Sequence, residues 1–335
     1  MSLYPSITFG SLLQQFFVER LIQQRHASPC TIATYRDCFR LLLAFAEERL
    51  GKRPAKILLQ DLNPTLILKF LDDLENRRKN SIRTRNARFA AIRAFLHYAA
   101  AREPSALALT QSVLAIPLKR FERPLIGFLS RDQIQAILDA PDPGTWSGRR
   151  DRAMLSTLYN TGARVSELIR LRTTDLSFEP SPAVRILGKG RKERQLPLWT
   201  STARQLKRWL QAEKRDGPEQ PLFPNRRGGS LTRTSVAERL KLAAQKAAGK
   251  YPELTQRRIS PHLVRHSLAM HLLQAGVDIT VIALWLGHES PATTHMYVEA
   301  DLAMKERALK NLQAPQGKTA RYHPPDRVLE FLQTL

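Results

Sequence analysis

Residues 261–276 read PHLVRHSLAMHLLQAG. Leu263, Leu268, Leu272 and Leu273 recur at helical spacing, so the stretch is predicted to be one helix over about 261–275, with these residues facing a core. His262, Arg265 and His266 lie on that helix, and His262 and Arg265, three apart, are expected on one face. A guanidinium fork matches two oxygens of a phosphate, and a neighbouring imidazole can donate to a third or move a proton. His262-x-x-x-His266 is also a spacing that zinc can use, with His271 nearby. HLVRH lacks the glutamate of HExxH, however, and sets an arginine between the ligands, so no metal site is expected. His266 and His271 read as structural histidines.

Three further stretches carry groups suited to a phosphodiester. In TGARVSEL (161–168) one helix ends at Gly162 and another begins near Arg164, where anions are favoured. Glu167, three residues on, is placed to hold the Arg164 guanidinium. Taken alone, the pair reads as a surface ion pair. The run 183–198 changes to period two and is predicted to be a β-hairpin, with Gly188-Lys189-Gly190 in the turn. Lys189 is its candidate cation, and Arg191 and Lys192 add charge; alone they read as a solvated basic turn. After the 261–276 helix, WLGHESPATTHMYVEA (285–300) puts His288 in a turn behind Gly287 and Tyr297 nine residues later. A phenol, with a reference pKa near 10, attacks only where positive charge and a proton acceptor gather round it.

Working outward, helices are predicted at about 200–214, 234–248, 278–286 and 291–311, and ahead of TGARVSEL in a region that opens with LSRDQIQAIL (129–138), with Ser130 and Gln133 as a capping box, and at 149–159. The first hundred residues carry four amphipathic helices, with Ser28-Pro29, Asn63-Pro64 and Ser81 at boundaries. The fourth, about 81–102, places Arg83, Arg85, Arg88 and Arg93 among apolar residues and suits a DNA backbone. Periodicity breaks between Glu103 and Gly127, where Pro104, Pro117 and Pro124 stand with Lys119, Arg120 and Arg123; this reads as a basic linker. The predicted division is a helical domain at 1–103, linker 104–126, a second domain at 127–312 and a tail at 313–335.

The chain has 335 residues, enough for two domains, and Lys+Arg 53 against Asp+Glu 30 give a formal charge of +23. Such a surface attracts a polyanion. Cys30 and Cys38 lie on one predicted helix, too far apart to bridge, which fits a reducing compartment. No signal peptide or membrane-length apolar run is read, so a cytoplasmic chain without membrane contact is expected.

Together, Arg164, Lys189, His262, Arg265, His288 and Tyr297 stand in an order and spacing that resemble the tyrosine recombinases, or phage integrase family, and most strongly the Xer-like branch. TGARVSEL is similar to that family's first arginine box, GKGRKERQLP to its hairpin lysine motif, and HLVRHSLAMHLLQAGVDITVIALWLGHESPATTHMYV to its second box through the nucleophile.

The resemblance implies a mainly α fold with a small β-hairpin sheet. A four-helix core-binding (SAM-like) domain would precede the catalytic domain, and the two would close around a duplex. It implies cofactor-free and metal-free transesterification, with Tyr297 as nucleophile, Lys189 as general acid, and Arg164, Arg265, His262 and His288 on the scissile phosphate. Glu167 would support Arg164. The implied partner is a double-stranded DNA core site. Four copies would assemble on it, alone or with a second related recombinase or accessory factor, and tail residues Val328, Leu329, Phe331 and Leu332 are candidates for docking between copies. Integration or excision of a mobile element is the expected task, with Xer-type dimer resolution as an alternative. A silent DNA-binding regulator of the same fold and a type IB topoisomerase-like enzyme are the other readings.

Overall fold

The computed structural model describes residues 9–121, 127–188, 192–213 and 220–288. The chain divides into two compact units, with the boundary between Pro124 and Leu125.

In the first unit, local caps set where helices start. Ser28 accepts the Thr31 N–H at the head of α2 (Pro29–Leu50), which ends at Gly51 in the left-handed region, φ 66°. Asn63 does the same for Leu66 in α3 (Pro64–Asn76), and Ser81 for Thr84 in α4 (Ile82–Arg102). Proline at the first helical position of α2 and α3 lacks only an N–H that would have had no partner. Ahead of these, α1 (Phe9–Gln15) passes directly into a π-helical segment, Phe16–Gln24. The wider π turn brings Phe16 and Leu21, five apart, onto the same buried side. Phe9, Phe16, Phe39 and Phe95 meet edge to face at the centre of this unit, with the Phe39 and Phe95 centroids 5.3 Å apart.

The segment read as a linker departs from expectation. Residues Leu107–Leu114 form α5, and Val113 and Ile116 are buried in the first unit's core. At eight residues, between Pro104 and Pro117, it is too short to show a helical period, and what orders it is packing against α4.

The second unit opens with α6 (Arg131–Asp139), where Ser130 and Gln133 form a reciprocal capping box. α7 (Trp146–Thr161), capped by Thr145, ends at Gly162, φ 59°, and the four-residue α8 (Val165–Leu168) follows at once. Strands β1 (Leu176–Ser177), β2 (Ala183–Leu187) and β3 (Glu193–Pro197) form an antiparallel sheet in that order, with Val184 opposite Leu196 and Ile186 opposite Arg194. The hairpin is thus present, with a short third strand that two residues could not announce.

Helices α9 (Thr200–Glu213), α10 (Arg233–Ala247), α11 (Pro261–Gln274) and α12 (Ile279–Leu286) complete the described part. α6, α7, α9, α10 and the sheet share one core, and α11 with α12 carry a second cluster around Leu268, Met270 and Ile282. Both cysteines are free thiols, and burial pushes the Cys38 thiol up to about 12. Among the described residues no helix is long and apolar enough to cross a membrane. The predicted helix 291–311 and tail 313–335 lie outside the described residues, as do Arg123, Lys189, Arg191 and Tyr297.

Candidate active site

Gly162 brings the end of α7 against α11 and α12. A Cβ there would stand 2.6 Å from Leu286 Cδ2 and 2.9 Å from Leu268 Cδ2, so only glycine permits the approach. Arg164, two residues on, is the N-cap of α8. Its backbone N–H donates to Glu167 Oε2 at 2.9 Å, and its Nη1 donates to Glu167 Oε1 at 3.0 Å. The predicted support of Arg164 by Glu167 is therefore a formed ion pair. α8 is too short to carry much of a dipole, and the positive charge here comes from guanidinium groups.

Arg265 departs from the simple picture of two side chains on one helix face. His262 is exposed in the first turn of α11, whereas Arg265 is buried, 6% exposed. Its Nη1 donates to Gly162 O at 2.5 Å and its Nη2 to Leu286 O at 2.7 Å. Arg164 Nη2 donates to Gly287 O at 3.2 Å, and Arg194 Nε to Trp285 O at 3.0 Å. Three consecutive carbonyls, of Trp285, Leu286 and Gly287, thus each accept from a different arginine. They belong to the C-terminal end of α12, where carbonyls lack helical partners and the dipole favours cations.

His288 leaves that helix end directly. Its pKa is pushed down to about 4, first by burial and then by the charges of Arg265, Arg164 and Arg194. The imidazole is neutral at physiological pH and suited to a single N–H donation. For Glu167 burial acts in the other direction. Burial alone would raise its pKa, but hydrogen bonds from Arg194 and Arg164 and the Arg194 charge hold it below the usual carboxylate range. His266 and His271 are buried, and His271 Nδ1 meets the Tyr159 hydroxyl at 2.7 Å.

The sequence alone does not single out Arg194, because GKGRKER reads as one solvated basic run. Its signal was the strand period: Arg194 shares the phase of Leu196 on β3 and sits opposite buried Ile186. Across the hairpin, Gly188 N–H donates to Lys192 O at 2.8 Å. A Cβ on Gly188 would lie 3.6 Å from Glu167 Oε1, which puts the hairpin's base at the cluster. Among the described residues no group of three or more His, Cys, Asp or Glu side chains could hold a metal ion.

The DNA-binding candidates of the first unit separate. Arg83, Lys119 and Arg120 are exposed, Lys119 pairing with Glu75 at 2.8 Å; in the second unit Lys192 is exposed. Arg85 is not a surface cation: it is buried, and its Nε lies 3.0 Å from Glu75 Oε1. Arg93 is also engaged internally, donating to Leu114 O at 3.0 Å and covering the Phe89 ring, and Arg88 is half-buried. Arg83, Arg85, Arg88 and Arg93 stand two, three and five positions apart, so at about 100° per residue they spread around α4 instead of lining one face.

The family model described as "Phage integrase family" matches residues 127–304, and "Phage integrase, N-terminal SAM-like domain" matches 13–103. The chain belongs to the phage integrase family of tyrosine recombinases. It is 49% identical over 98% of its length to "Putative integrase/recombinase y4rC" of Sinorhizobium fredii (strain NBRC 101917 / NGR234), covering 98% of that protein. It is 33% identical over 84% of its length to "Tyrosine recombinase XerD" of Pseudomonas putida, covering 90% of it. Its fold matches that of the XerH site-specific recombinase bound to palindromic difH substrate, with a TM-score of 0.67, 21% identity, and coverage of 92% of this chain and 91% of that one.

Proposed function

We propose that this recombinase cuts and rejoins double-stranded DNA at a core site through a 3′-phosphotyrosyl intermediate and integrates or excises a mobile element. The observation that carries the chemistry is the gathering of Arg164, Arg194 and Arg265 around the end of α12 beside neutral His288. Preorganised cations in a partly buried site stabilise the charge of a pentacoordinate phosphorane without having to reorganise. Guanidiniums here take the part that metal ions have in other phosphoryl transfers.

In this reading Arg164, Arg265, His262 and His288 contact the non-bridging oxygens. Tyr297 Oη attacks phosphorus, forming the O–P bond as the P–O5′ bond breaks, and its proton is released to solvent. Lys189, which follows Gly188 in the chain between β2 and β3, gives its proton to the departing 5′ oxygen. Attack by a 5′-hydroxyl from a second duplex reverses the step, so no nucleotide cofactor is consumed. Exposed Arg83, Lys119, Arg120 and Lys192, with Arg123 and Arg191, supply salt-sensitive backbone affinity. Four copies assembling on two sites in the cytoplasm, with or without a second recombinase, complete the scheme. The similarity to a protein named an integrase/recombinase over nearly the whole chain supports the integration reading.

The test is covalent trapping in EDTA on nicked duplexes tiled from DNA flanking the gene. Wild type is expected to give an SDS-resistant protein–DNA band that Tyr297→Phe does not give. Tight binding with no band on any fragment would favour a silent binding protein. Relaxation of supercoils without joining of two duplexes would favour a topoisomerase-like enzyme.

A further inference from the structure

Arg194 occupies a position that neither the phosphate clamp nor the hairpin lysine accounts for. It is only 12% exposed at its side chain and bridges three elements. From β3, its Nη2 donates to Glu167 Oε2 at 2.7 Å and its Nε to Trp285 O at 3.0 Å. The guanidinium lies against glycine on two sides. A Cβ on Gly287, φ 65°, would stand 2.9 Å from Nη1, and one on Gly188 would stand 3.4 Å from it. Both glycines leave room for one planar group between the hairpin and the end of α12. Glu167, which receives this donation, also receives two from Arg164.

We propose that Arg194 is a positioning residue that locks the hairpin carrying Lys189 to the Glu167–Arg164 pair and to the α12 end carrying His288, so that acid and phosphate clamp are set in one register. The assignment rests on the reading of the site given above. An ammonium cannot replace it: a lysine is a point charge, whereas the rigid fork sends two donors in fixed directions. Misplacement of about 1 Å costs on the order of 10²-fold in rate. Charge matters separately, because Arg194, Arg164 and Arg265 are the cations that lower the His288 pKa.

Three forms of the full chain, wild type, Arg194→Gln and Arg194→Lys, test this together with Glu167→Gln and the double variant Glu167→Gln/Arg194→Gln. On the DNA that wild type cleaves, both Arg194 variants are expected to form the Tyr297 adduct about 10²-fold more slowly, with DNA affinity changed less than threefold. Because Arg194 acts through Glu167, the double variant is expected to lose far less than the product of the single losses. Histidine-resolved NMR of the free protein is expected to show His288 titrating near 4 in wild type, higher in Arg194→Gln, and close to wild type in Arg194→Lys. The sign follows from removal of a nearby positive charge, which eases protonation.

Wild-type cleavage rates in both variants, or rate losses matched by equal losses of affinity, would overturn the proposal, as would multiplying losses in the double variant. Should Arg194→Gln fail to fold, Arg194→Lys carries the rate and affinity test. A wild type with no Tyr297-dependent adduct on any DNA defeats the reading of the site instead, while the histidine titration, which needs no DNA, still tests Arg194 beside His288.

Discussion

The two units bury different things. The first is built around phenylalanine and leucine, and its described buried polar side chains are Asp73, Arg85 and Thr110. The second buries Arg150 with Asp151, and Glu167, Arg265, His266, Ser267 and His271 in the helices around its site. Burying a charge is costly unless partners are in place, so the second unit gives up stability for a prearranged cluster of cations. The first unit keeps most of its arginines at or near the surface, where they cost little. One unit is a scaffold with a charged exterior; the other gathers part of its charge in a partly buried cluster around the end of α12.

The sharpest way to break this contrast is to remove an apolar side chain from the first unit and a charged one from the second. Phe95 packs on Phe9, Phe16 and Phe39, so Phe95→Ala is expected to lower stability by about 3–5 kcal/mol. Denaturant unfolding reads the loss, and the His288 titration of the protein that stays folded should not move. Unchanged unfolding would show that the aromatic cluster is not the first unit's main support.

Arg265→Gln comes next. It removes the donor to Gly162 O and Leu286 O, and the rate of covalent adduct formation is expected to fall about 10²–10³-fold. A variant that loses DNA affinity by the same factor and keeps its rate would place Arg265 in ground-state binding. The smallest effect separates two arginines of one helix. Arg85→Ala breaks a buried pair and is expected to cost about 1–3 kcal/mol in unfolding. Arg83→Ala is expected to leave unfolding unchanged and to reduce the slope of log affinity against log salt by about 0.9. Reversed behaviour of the pair would return Arg85 to the DNA-facing surface.

Much of the molecule was legible in one dimension. Caps at Ser28, Asn63, Ser81 and Ser130 begin helices within a residue of the predicted starts, because a cap is a contact between neighbours in the chain. Glu167 beside Arg164 was legible for the same reason. The order of Arg164, His262, Arg265 and His288 was legible as spacing. α5 was not, because its order comes from packing on α4, and β1 was not, because two residues carry no period.

Local signals thus assigned the helices, the hairpin and the residue types of the site, since each depends on groups within a few positions of one another. Tertiary structure alone decided which cations are buried and what they hold. Arg85 meets Glu75 from another helix, Arg265 reaches a carbonyl 103 residues away and Arg164 one 123 residues away. The low pKa of His288 and the role of Arg194 exist only after those approaches are made. Burial and Coulomb energy depend on distance in space, and a sequence records distance along the chain.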